Sequence, residues 1–127
     1  KASSGAYQSN NSSSWSTTSD ERIKKNIVNN DSGLDAINQI QVRNFEYRTE
    51  DEITDFKNPS VVKVKKEGTQ IGVIAQELEK ILPECVKTQN TGVKTVDPSD
   101  LTWYLINAVK ELSAKVTNKW KKEQLMK

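Results

Sequence analysis

From Leu101 to Lys127 the chain contains neither glycine nor proline, and this uninterrupted run constrains the fold more than any other feature. "DPSDLTWYLINAVKELSAKVTNKWKKEQLMK" opens with a capping acid and Pro98, and nothing after them stops a helix. A helix of that length is unusual in a small domain, where about three to four turns is typical. Leu105, Val109, Leu112 and Val116 alternate by four and three residues, a short heptad seam. Trp120 arrives one position late for the next slot. Two readings stay open: a homotypic coiled coil, or a helix packed on its own domain through Leu101, Trp103, Ile106 and Ala108. The C-terminal half of the seam has little else in the chain to pack on, which favours self-association.

The remainder offers a thin core. Only 34% of the 127 residues are hydrophobic, and small domains are marginal for that reason, with oligomerisation one remedy. The net charge is +2 and Lys and Glu are interspersed, so no nucleic-acid partner is expected. No apolar run approaches the roughly 20 residues of a membrane helix, and no membrane partner is expected either. The chain has no His, which removes Ser-His-Asp and Cys-His catalysis and nearly all zinc sites. No metal and no cofactor is expected. The single Cys85 cannot form an intrachain disulfide and reads as a small core residue. Any catalysis must use Ser, Thr, Lys or carboxylates.

Along the chain, residues 1–18 ("KASSGAYQSNNSSSWSTT") have no helical period and carry two isolated aromatics, Tyr7 and Trp15. They read as a linker or the end of an upstream parent protein, and the chain as the C-terminal piece of something longer. From Ser19 the character changes. "SDERIKKNIVNN" offers Ser19 as an N-cap, acids in the first turn, and Ile23, Ile27 and Val28 on one face. "DSGLDAINQI" reads as a turn and a short helix with Leu34, Ile37 and Ile40 inward. "QVRNFEYR" suggests a strand with Val42, Phe45 and Tyr47, and "TEDEITDFKNPS" an acidic loop. "VVKVKK" and "TQIGVIA" flank Glu67-Gly68 as a hairpin. "AQELEKILPE" is a helix with Leu78, Ile81 and Leu82 inward, stopped by Pro83. "CVKTQ" and "VKTVD" form a second hairpin around Asn90-Thr91-Gly92.

Ser19 has a second reading, as a nucleophile. Without His, the usual proton acceptor is a neutral Lys. Lys24 lies five positions on, with Arg22 and Lys25 as cationic neighbours. On a continuous helix that offset turns the two side chains about 140° apart; an N-cap Ser19, outside helical geometry, or a contact from another chain removes the objection. Spacing alone favours a helix start.

Four blocks in order, "SDERIKKNI", "LDAINQIQVRNFEYR", "IGVIAQELEKILPECV" and "VDPSDLTWYLINAVKEL", resemble the C-terminal intramolecular chaperone domain. It occurs in phage tail spikes, tail fibres and neck appendages, and in myelin regulatory factors. The resemblance spans Ser19 to about Val116. It implies an α+β fold of short helices and small β-hairpins, followed by a long C-terminal helix that forms a trimeric coiled coil or helical bundle. Residues 1–18 then belong to the upstream parent, 19–127 to the chaperone domain and 97–127 to the trimerisation helix carrying Leu105, Val109, Leu112 and Val116. It implies a homotrimer that brings the upstream part of its own parent chain into register, then releases itself as a self-cleaving serine endopeptidase, one turnover per chain. Ser19 matches the nucleophile, Lys24 the base, and Thr18-Ser19 the scissile bond; Asp20 and Arg22 match the motif in supporting roles. Gln76 and Glu77, at a strand-to-helix turn with Gly72 and Ala75, are candidates for holding a neighbouring loop or subunit. The setting implied is the host cytoplasm during virion assembly, with the domain absent from, or only transiently attached to, the mature virion. The alternatives are a non-cleaving trimerisation cap, with Ser19 only a helix cap, and a receptor-binding tip using Trp103, Tyr104 and Trp120.

Overall fold

The computed structural model describes residues 6–8 and 15–126, and the chain forms two units, residues 1–30 and 31–127. In the first unit, β1 (Ala6–Gln8) pairs antiparallel with β2 (Trp15–Thr17), Tyr7 opposite Ser16. The polar composition of this stretch gave no expectation of strands. Three residues beyond β2, Thr18, Ser19 and Asp20, lead into one 3-10 turn, Glu21–Ile23.

The expected amphipathic helix does not form at this point. Asp20, not Ser19, is the N-cap. Its carboxylate accepts the Arg22 backbone N–H at 2.9 Å, a local bond that competes with continued helix. Lys24 already has extended dihedrals, and Asn26 is left-handed at φ 54°, a conformation Asn tolerates better than most side chains. Ile23, Ile27 and Val28 therefore form no buried stripe and remain exposed.

The second unit begins with α1 (Leu34–Gln39), whose Ala36 and Ile37, with Ile40 at its C-cap, pack on the core as the spacing requires. β3 (Arg43–Phe45) pairs antiparallel with β4 (Gln70–Gly72), Asn44 opposite Ile71. This corrects the Glu67-Gly68 hairpin: the apolar pair Val61-Val62 lies in α2 (Pro59–Val62), started by Pro59 at N1, so β4 finds its partner 27 positions upstream. Val42 lies outside β3 and is exposed, while Phe45 and Tyr47 stack edge to face at 5.2 Å. The acidic loop contains a further 3-10 turn, Glu50–Glu52, closed by reciprocal bonds between Thr49 and Glu52.

α3 (Ala75–Glu79) and a 3-10 turn at Pro83–Cys85 lead into β5 (Val86–Thr88), which pairs with β6 (Lys94–Val96) as a hairpin. Gly92 sits at φ 89° in the connection, where a side chain would be strained. The core is Leu78, Leu82, Cys85 and Tyr104, with Ile37, Ile40, Ile81, Val86, Val96 and Leu101 around it. Burial of Cys85 pushes its thiol up from the usual value, so it behaves as a small core residue. So thin a core leaves little redundancy. Leu78, 1% exposed, is expected to cost about 2–5 kcal/mol when replaced by Ala, measurable by urea unfolding of the full chain.

α4 (Leu101–Leu125) is the long helix anticipated. Its first turns bury Tyr104 and Ala108, and α1 lies against it: a Cβ on Gly33 would come within 3.0 Å of Asn107 Cβ, and Asn107 Nδ2 donates to the Ser32 carbonyl at 2.9 Å. Trp103 and Ile106, expected on the packed face, are 63% and 47% exposed; Leu101, Tyr104 and Ala108 supply that face instead. Tyr104 also anchors the helix start, its hydroxyl donating to Glu84 Oε1 at 2.6 Å. That bond, reinforced by burial, raises the Tyr104 hydroxyl to about 12, and it holds Glu84 below the usual carboxylate range. In a spectrophotometric alkaline titration, one of the three tyrosines is expected to ionise last, near pH 12, and to vanish in Tyr104→Phe. The stability this bond gives through Tyr104 is present below the unfolded value near 10 and is lost as pH rises toward 12.

Candidate functional site

The strand β2 ends at Thr17, so Thr18 and Ser19 are the two residues between a paired strand and a capped turn. The turn is short enough to bring its C-cap back. Lys24 closes it with a backbone bond to the Glu21 carbonyl at 3.2 Å, and Lys24 Nζ donates to Ser19 Oγ at 2.6 Å. The 140° objection disappears because no continuous helix separates the two residues. Both side chains are exposed. Among the described residues no carboxylate ion-pairs with Lys24; its side-chain partner is the Ser19 hydroxyl.

Asp20 is engaged elsewhere. Besides the cap, its Oδ1 accepts from Arg22 Nε at 3.0 Å, and its Oδ2 accepts from Arg22 Nη2 at 2.7 Å and Nε at 3.2 Å. The side-chain bonds, then the backbone bond, hold the Asp20 carboxyl below its usual range, and Asp20 in turn raises Arg22. The structure thus gathers Ser19, Asp20, Arg22 and Lys24 within six consecutive residues ending at the Lys24 cap, with Thr18 at the strand exit.

Gln76 and Glu77 belong to the second unit. Gln76 is exposed on α3. Glu77 accepts from Arg43 Nε at 3.1 Å and Nη2 at 2.8 Å, tying α3 to β3, and Arg43 holds Glu77 below its usual range. Gly72 packs under Phe45, where a Cβ would meet Cε1 at 3.2 Å. Arg43 was not singled out from the sequence; a pairing across 34 residues leaves no local signal. A groove of about 1060 Å³ runs between Glu46–Glu52 and Lys63–Gly68. Its lining mixes four acidic with four basic side chains, and Lys63 is already paired with Glu50 at 3.0 Å. No cluster of potential metal ligands occurs among the described residues. No helix among them is long and apolar enough to cross a membrane.

In a chain without histidine, the exit of β2 thus brings a serine hydroxyl into contact with a lysine amine. Residues 19–87 match the sequence model of the peptidase S74 family, described as the chaperone of endosialidase, and the chain belongs to that family. It is 31% identical over 102 residues to the long tail fiber protein Gp37 of Enterobacteria phage M1 and to that of phage Ox2. The alignments cover 77% of this chain and 37% of each relative, so the chain spans well under half the length of the tail fibre proteins it matches.

Proposed function

We propose that residues 19–127 act as an intramolecular chaperone for an upstream phage tail or appendage protein, of which residues 1–18 are the end, and then cut themselves free at Thr18-Ser19. The observation that carries this reading is the 2.6 Å contact between Lys24 Nζ and Ser19 Oγ. Family membership and the similarity to tail fibre proteins support it.

The chemistry follows from the position of the hydroxyl. Attack by Ser19 Oγ on the Thr18 carbonyl carbon closes a five-membered ring, so proximity is built into the chain. Lys24, as the neutral amine, takes the hydroxyl proton. The tetrahedral adduct collapses with loss of the C–N bond, and Lys24 returns the proton to the Ser19 nitrogen. Thr18 is then esterified to Ser19 Oγ. Water hydrolyses the ester, leaving a Thr18 carboxylate and a chain that begins at Ser19 with a free amine.

The chaperone role rests on α4. Leu105, Val109, Leu112 and Val116 are 49–64% exposed, and they point about 100° around the helix from the face occupied by Tyr104 and Ala108. The helix therefore serves its own domain and a seam at once, which supports association of three copies through residues 97–127. Trimerisation raises the effective concentration of the upstream segments, whose non-local β-pairing is otherwise slow and prone to aggregation. Cleavage removes the template, and persistence of the assembled parent becomes a matter of unfolding rate. This places the domain in the host cytoplasm during virion assembly. The test is intact mass over time of the chain with its native upstream segment, together with its sedimentation. A fragment beginning at Ser19 from a trimer supports the proposal; a trimer that stays whole reduces the domain to an assembly cap.

A further inference from the structure

Lys24 works as a base only as an amine, and two carboxylates lie within four positions of it, Glu21 and Asp20, the second on the residue beside the nucleophile. Consecutive Cα atoms are about 3.8 Å apart, so Asp20 carries its carboxylate on the residue next to the hydroxyl that Lys24 contacts. An ion pair there would favour the ammonium and draw Lys24 off the hydroxyl. The structure instead has both carboxylate oxygens taken. Arg22 holds them through Nε and Nη2 at 2.7–3.2 Å, the forked geometry that lysine does not offer. The pair is exposed, at 85% and 43% for the two side chains, and such pairs add little stability. Its value must lie elsewhere.

Resting on the Ser-Lys reading above, we propose that Arg22 is a positioning residue that sequesters the Asp20 carboxylate, leaving Lys24 to the Ser19 hydroxyl. The other charged groups around Lys24 agree with this division. The charged side chains among residues 15–30 are Asp20, Glu21, Arg22, Lys24 and Lys25, and the paired strands of this unit add Tyr7 as their one titratable residue. Glu21 engages Lys24 through its backbone carbonyl. With Asp20 and Arg22 offsetting each other, the remaining charges near Lys24 in sequence are Glu21 and Lys25, of opposite sign.

The test is the pH profile of self-cleavage in the full chain with its upstream segment, for wild type, Arg22→Gln, Arg22→Lys and Arg22→Gln/Asp20→Asn. Arg22→Gln is expected to slow cleavage about threefold to tenfold at neutral pH, corresponding to an upward shift of about 0.5–1 pH unit in the profile, with the deficit closing at high pH. Arg22→Lys falls between, and the double variant returns the profile to the wild-type position. A loss equal at every pH, or one that Asp20→Asn fails to rescue, overturns the proposal. A second measurement does not depend on cleavage: the Lys24 Cε titration by NMR in uncleavable Ser19→Ala. A higher midpoint on adding Arg22→Gln, reversed by Asp20→Asn, supports the sequestering role. An unmoved midpoint overturns it, even if Ser19 and Lys24 prove essential, and so separates this failure from failure of the dyad itself.

Discussion

The chain with Ser19→Ala is expected to stay whole under conditions in which the unaltered chain is expected to release a fragment beginning at Ser19, a rate difference of at least about a thousandfold. Alanine removes the attacking oxygen and leaves the backbone free to keep the Asp20 cap, because that cap uses the Asp20 carboxylate and the Arg22 N–H. Loss of cleavage in this variant therefore reports chemistry rather than unfolding. Lys24→Ala is expected to fall by a similar factor. Lys24→Arg is the sharper comparison, since arginine can still donate to Ser19 Oγ but does not deprotonate in proteins. Intact mass over time checks all three. If Lys24→Arg cleaves at the wild-type rate, Lys24 is a hydrogen-bond donor and not the base. If Ser19→Ala still yields a fragment cut at the same bond, the nucleophile lies elsewhere and the 2.6 Å contact is only a turn-stabilising bond.

The sequence carries this site only in part, and the reason is local competition. The residues from Ser19 to Lys24 satisfy every composition rule for a helix start, so periodicity points to a helix and to side chains turned apart. Two details argue otherwise: an Asp two residues before an N–H that its own carboxylate can capture, and an Asn able to turn left-handed two residues past Lys24. Both are weak signals until Ile23, Ile27 and Val28 are seen to be exposed, with no burial to hold a helix there. Elements whose signals are local were legible. Gly92 makes its turn, and Leu78 and Leu82 point inward, whereas α3 ends at Glu79, short of Pro83, which opens the next 3-10 turn instead. The β3–β4 pairing was not, because Glu67-Gly68 offered a nearby turn and nothing local says that Val61 and Val62 follow Pro59 into a helix. Long-range partners such as Arg43 and Glu77 are set by tertiary geometry and leave no mark on spacing.

α4 gives the second large effect. The proposed seam places Leu112 and Val116 beyond the turns that bury Tyr104 and Ala108, and both are more than half exposed. Leu112→Glu is expected to abolish the trimer while leaving the domain folded, since Leu112 is not part of the buried core. A carboxylate forced into an apolar seam costs about 2 kcal/mol or more per chain. Over three chains that lowers the association constant by about four orders of magnitude, so sedimentation at micromolar concentration should change from trimer to monomer. Ala114→Glu is the matched control: it lies on the opposite side of the heptad from the seam, adds the same charge, and is expected to leave the trimer intact. The long Gly- and Pro-free run then has a physical purpose beyond its own domain, because a helix of about 37 Å is far longer than the few turns that Tyr104 and Ala108 bury. If Leu112→Glu sediments as the wild type does, the seam is ordinary exposed surface, and any register that the domain imposes on its parent must come from another face.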